Sequence, residues 1–192
     1  MPAFLTYPSL FHIKDLFSLQ ISHRLNQTKI EMKMLNSIVR TDQLPLTESI
    51  LEKNLPQVLS STCFNDQNIP FAVEVRDTEV GHLFEHILLE YLCSAKLATG
   101  CDEAEFSGWT DWNWVKETVG TYHITIDIDP TEIIFFPPSL QKTISLVTQI
   151  FKDDSFDDTS LFMPLVASAS SAPSLRPFVA ETYISPKQSS AE

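Results

Sequence analysis

The sequence predicts an α+β fold: a small mixed sheet packed by a few helices, followed by an acidic, serine-rich tail. Three observations carry this. Residues 121–128 alternate strictly, with Tyr122, Ile124, Ile126 and Ile128 against Thr121, His123, Thr125 and Asp127, which is the pattern of a half-buried strand. Residues 78–98 place Phe84, Ile87, Leu88, Tyr91, Leu92 and Ala95 on one broad helical face. From about residue 153 the composition changes to nine serines, four prolines and no glycine.

Taken in chain order, Phe17, Leu19 and Ile21 alternate with Ser18, Gln20 and Ser22, and residues 16–22 read as a strand. Residues 24–43 are mixed and polar and read as a short helix or loop. Ile50, Leu51, Leu55, Val58 and Leu59 have helical spacing, and Pro56 should kink or end that helix. Phe71–Val75 reads as a short strand. The helix over 78–98 has Asp77 or Thr78 as cap, Glu79 in its first turn and Gly100 as its stop. Pro137 and Pro138 open a last helix with a core face of Leu140, Ile144, Val147, Ile150 and Phe151. The expected organisation is one domain over 1–152 and a tail over 153–192, largely disordered or loosely docked.

Charge and composition exclude several function classes. The 192-residue chain carries 25 acids against 13 bases, a net −12, of which the tail holds −4. That sign disfavours nucleic acid and anionic membrane surfaces, and suits a cation or a basic peptide. Four glycines leave little material for a phosphate-cradling loop. Cys63, Cys93 and Cys101 are odd in number and lack a CxxC spacing, so reduced thiols in a cytoplasmic protein are expected. The N-terminus lacks a basic stretch and a small-residue cleavage site, so no signal peptide is expected. No apolar run reaches the ~20 residues of a membrane span.

One motif carries chemistry: Gly81-His82-Leu83-Phe84-Glu85-His86-Ile87-Leu88-Leu89-Glu90. Histidines four apart stack about one turn apart on a helix face, so both imidazoles can reach one divalent ion. Glu85 lies ~60° round the helix from His82, placed for a water on the ion rather than for the ion itself. H-x-x-E-H is the inverted zincin arrangement, with the glutamate as general base and zinc as the expected metal. On the predicted helix the two histidines fall opposite the apolar face. Glu90, four residues past His86, is the leading third ligand, or else orients a histidine; Glu79, Glu74 and His123 are other candidates. Cys93 is expected to be a small buried thiol. Trp109, Trp112 and Trp114 either wall a substrate cleft or anchor a loop on the core.

The stretch G-H-L-x-E-H-x-x-L-E, followed after a polar gap by Val119-Gly120-Thr121-Tyr122-His123-Ile124, resembles the N-terminal domain of cyanophycin synthetase. The similarity spans roughly 5–152 and is most specific in the histidine helix and the strand after it. It implies a small α+β domain with a metal-dependent, peptidase-like site: His82 and His86 on the metal, Glu85 as base, Glu90 as ligand or supporting acid. The family's basic stretch is replaced here by Gly108-Trp109-Thr110-Asp111, and its ATP-grasp and ligase domains are not expected here. The expectation is a zinc-dependent hydrolase acting on a peptide or isopeptide amide. The alternative is a non-catalytic metal-binding or protein-interaction module that keeps the fold.

Overall fold

The computed structural model describes residues 10–64 and 69–153, and the backbone of 181–184. Seven strands form one mixed sheet: β1 (Leu10–Ile13), β2 (Phe17–Arg24), β3 (Gln27–Met34), β4 (Thr62–Phe64), β5 (Ser107–Asp111), β6 (Thr121–Asp127) and β7 (Glu181–Ile184). Their spatial order is β1-β2-β3-β6-β5-β7-β4. The first five in that order are antiparallel, and β7 runs parallel to both β5 and β4. The helices are α1 (Thr47–Asn54), α2 (Phe71–Glu74), α3 (Val80–Leu97) and α4 (Phe136–Asp153).

One sheet face is apolar because alternation aligns across strands. Leu19, Met32 and Tyr122 are paired neighbours in one row, and Ile21, Ile30 and Ile124 in the next. All six are buried, while Lys29, Glu31 and Lys33 point to the other, solvated face. α3 lies on the buried face against β5 and β6, and α4 covers α3. Among the described residues no helix is long and apolar enough to cross a membrane.

The α+β class, β2, β6, α1, α3 and α4 agree with the sequence reading, and α1 does end before Pro56, in a 3-10 turn over Pro56–Ser60. Two segments are corrections. Residues 27–34, expected as helix or loop, are a central strand, reached through a turn with Leu25 at φ 33°. The alternation of Thr28, Ile30 and Met32 is real, but lysines and a glutamate dominate the composition of the stretch. Phe71–Val75, expected as a strand, begins instead with one helical turn after Pro70, whose carbonyl accepts from the Val73 and Glu74 amides. Apart from Asp153 and the backbone of Glu181–Ile184, the predicted tail lies outside the described residues; those four residues pair into the sheet.

The N-terminus of α3 is pinned by residues 39–41. Thr41 and Thr78 exchange a backbone bond of 2.8 Å and a side-chain bond of 2.8 Å, and the Val80 amide donates to Val39 O at 3.0 Å. Glu79, rather than Asp77 or Thr78, is the residue at the cap, and no side chain caps the helix. The Glu79 carboxylate is instead bound by Arg40, which also bonds Asp77. At the other end Gly100, at φ 89°, closes the turn by donating to Leu97 O.

Candidate metal centre

Three donor groups converge where α3 meets β4. Cys63, His82 and His86 each offer one ligand atom, all within 4.8 Å of one another, and all three residues are buried. The Nε2 atoms of the two histidines stand 3.1 Å apart, and Cys63 Sγ lies 3.5 Å from His82 Nε2. Thiolate and imidazole together form a donor set that suits a transition-metal ion. A buried Cys63–His82–His86 cluster able to bind a metal is therefore a feature of this fold.

The outer nitrogens of both rings are held by hydroxyls. Thr78 Oγ1 is 2.8 Å from His82 Nδ1, and Ser61 Oγ is 2.8 Å from His86 Nδ1. Ser61 donates its own hydrogen to Val58 O at 2.7 Å, so it accepts from His86 Nδ1–H. That tautomer, assigned from the bonding pattern, leaves the His86 Nε2 lone pair aimed at the cluster. Phe71 stacks on His86 with centroids 3.6 Å apart and meets His82 edge-on. Burial lowers both imidazoles' pKa, His82 to about 3, so both are neutral and competent as ligands at physiological pH.

Burial corrects the expected orientation of the motif. His82 and His86 do not lie on a face turned away from the core; both are fully buried, as is Glu85. α3 is enclosed by the sheet on one side and by α4 and the Pro56–Ser60 turn on others, so its polar stripe is as covered as its apolar one.

Glu85 faces β5. Thr110 Oγ1 donates to Glu85 Oε2 at 2.5 Å, while Oε1 has no hydrogen-bond partner among the described residues. Gly108 makes room for this carboxylate: a Cβ there would sit 2.8 Å from Thr125 O and 3.3 Å from Glu85 Oε1. Burial raises the Glu85 pKa to about 8, against the opposing effect of the Thr110 bond. A divalent ion at the histidines would favour the ionised form.

Glu90, the leading third ligand in the sequence, is not part of the three-residue group. It is buried further along α3, with Ser94 Oγ 3.5 Å from Oε1, and burial raises its pKa to about 7. Glu79 is taken by Arg40, and His123 pairs with Glu117 at 2.9 Å. Glu74 does approach the cluster: Cys63 Sγ donates to its Oε2 at 3.1 Å, and its Oε1 is 3.7 Å from His82 Nδ1. Cys93 is a buried thiol. Trp114 anchors its loop, donating to Thr121 O at 3.0 Å and packing edge-on against Tyr122.

Cys63 is the candidate ligand that sequence reasoning missed. It sits nineteen residues before His82 on a separate element, with no spacing rule joining the two. Ser61 and Thr110 are equally silent in sequence. No family model, curated protein or solved structure matches this chain.

Proposed function

We propose that the chain is a zinc-dependent hydrolase of a peptide or isopeptide amide, with Cys63, His82 and His86 holding the ion and Glu85 as general base. The observation that carries this reading is the pairing of a three-donor cluster with a buried carboxylate that keeps one oxygen unpartnered. Three protein donors are the number found in catalytic zinc sites, which keep a fourth position open, whereas structural sites use four. When bound, such an ion supplies Lewis acidity, polarising a carbonyl and acidifying water to a pKa of about 7.

The chain's own residues supply the rest. Ser61 and Thr78 fix the imidazole orientations. Thr110 holds one Glu85 oxygen and leaves the other to accept a proton and return it to the leaving amine. The net charge of −12 favours a basic substrate over an acidic one. The resemblance of the histidine helix to the N-terminal domain of cyanophycin synthetase supports the same reaction class.

A second reading is favoured by one observation. His82, Glu85 and His86 are all 0% exposed, which suits a metal-binding or interaction module without turnover. One experiment separates the two. The protein is loaded with zinc and assayed on peptide and isopeptide substrates, basic ones included, beside Glu85→Gln. Hydrolysis predicts full zinc content in both proteins and turnover lower by ~100-fold or more in the variant. Full zinc content with no turnover in either protein selects the module.

A further inference from the structure

Among the described residues β7 is the last strand in sequence but an interior strand in the sheet. Thr62, Cys63 and Phe64 of β4 pair with Glu181, Thr182 and Tyr183 on one side. Ser107, Gly108, Trp109 and Thr110 of β5 pair with Glu181, Thr182, Tyr183 and Ile184 on the other. Thr182 thus occupies the register position between the metal donor Cys63 and Gly108, which borders Glu85. Ile184 pairs with Thr110, which hydrogen-bonds Glu85.

Among the described residues β4 pairs with no strand other than β7. With β7 withdrawn, β4 and β5 would face each other across two strand spacings, about 9.5 Å. Each would present a row of unpaired N–H and C=O groups. One extended chain fits a gap of that width, and a helix, at about 10–12 Å across, does not. The resident strand is only four residues long, and both of its ladders are parallel, the less stable pairing per residue.

We infer that the slot between β4 and β5 is a binding site for an extended peptide segment, added as a parallel strand, and that Glu181–Ile184 is its intramolecular occupant. Main-chain bonds on both sides provide affinity for any unbranched extended segment. The inference deepens the hydrolase reading and rests on it for its consequence: a peptide in the slot runs past Cys63 and Glu85, and the chain's own segment closes that path to others.

The test uses the full chain and a labelled synthetic peptide of residues 177–188. Proline at the centre of β7 removes a ladder donor and opens the slot. Thr182→Pro should bind the peptide at least ~10-fold more tightly than the parent chain, whose own segment competes at high effective concentration. A peptide carrying the same proline should bind neither. Equal affinity for both chains, no binding to either, or failure of Thr182→Pro to fold would overturn the proposal, the last because β7 would then be an obligatory structural strand. Hydrogen exchange on the unaltered chain gives a second reading. The Thr182–Ile184 amides should exchange ~100-fold faster than those of Tyr122 and Ile124 in β6, as expected of a strand that leaves without global unfolding. Exchange in step with β6 would overturn it. Neither readout needs metal or turnover, so a protein that binds the peptide but hydrolyses nothing refutes the hydrolase and leaves the slot standing.

Discussion

The Nε2 atoms of His82 and His86 face each other at 3.1 Å inside the core. Two lone pairs cannot share that distance without a proton or a cation between them. In the metal-free chain one assignment satisfies every group. The Thr78 hydroxyl donates to His82 Nδ1, His82 Nε2–H donates to His86 Nε2, and His86 Nδ1–H donates to Ser61, which donates to Val58 O. With an ion bound by the two Nε2 atoms, His82 would carry its proton on Nδ1 and the Thr78 hydroxyl would accept from it.

The hydroxyls should therefore set metal affinity without touching the metal. Ser61→Ala and Thr78→Ala should each weaken zinc binding by about 10–100-fold. Competition with a chelating dye measures this. Unchanged affinity in both variants would mean that the rings are held by packing against Phe71 alone.

Zinc uptake should release about two protons per ion near neutral pH. The His82 proton would only move from Nε2 to Nδ1, and both imidazoles are already neutral, so the sources are the Cys63 thiol and Glu85, which burial holds protonated and a neighbouring ion would ionise. Titration calorimetry in buffers of different ionisation enthalpy counts them. Cys63→Ser should bind far more weakly and Glu85→Gln should release one proton fewer; an unchanged count in Glu85→Gln would mean that the ion does not ionise Glu85.

Gly81→Ala should destabilise the fold although alanine is the better helix former by about 1 kcal/mol. A Cβ at this position would lie 2.4–2.7 Å from Tyr122 side-chain carbons. Tyr122 has nowhere to go: it is fully buried and its hydroxyl donates to Val39 O at 2.5 Å. Overpacking of this kind costs about 1–3 kcal/mol, so the net change in urea unfolding should be a loss of up to about 2 kcal/mol. A gain would mean that α3 can lift from β6.

The metal-free protein should be most stable between about pH 4.5 and 6.5. His82, with a folded pKa of about 3, and His86, also lowered, bind protons in the unfolded chain first, so stability falls as pH drops below their ordinary 6.5. Glu85 at about 8 and Glu90 at about 7 act in the opposite sense. They stay protonated in the folded state while the unfolded state ionises, so stability falls as pH rises from 4.5 towards 8. In the shared interval the two pairs oppose each other, leaving a plateau with a fall on either side. Thermal melts from pH 3.5 to 8.5 in the presence of chelator check this; a profile still rising above pH 7 would contradict the burial of the two glutamates.

The sequence made the period of each major element legible, but not what covers it. β2, β6, α3 and α4 announce themselves because apolar side chains recur at intervals of two or of three to four. β3 does not, because Lys29, Glu31 and Lys33 on its solvated face outweigh Thr28, Ile30 and Met32 by composition, and its turn at Leu25 and Asn26 has no glycine to mark it. The spacing of His82 and His86 fixes that they stack; it says nothing of whether that stripe meets water or protein. Here the Pro56–Ser60 turn packs on α3 and Phe71 of α2 lies against both imidazoles, contacts that no spacing in the sequence encodes. Cys63 was out of reach for the same reason: pairing β4 into the sheet is what brings a distant thiol to the helix.

An ion held by Cys63 and His82 would also be a reversible cross-link. It would fasten the edge strand β4 to α3 across nineteen residues, closing a ring as a disulfide does. A chelator would then act on this fold as a reductant acts on a bridged one, loosening the margin of the sheet while the five antiparallel strands hold. Metal supply in the surroundings would become a setting for the mechanical coherence of that margin.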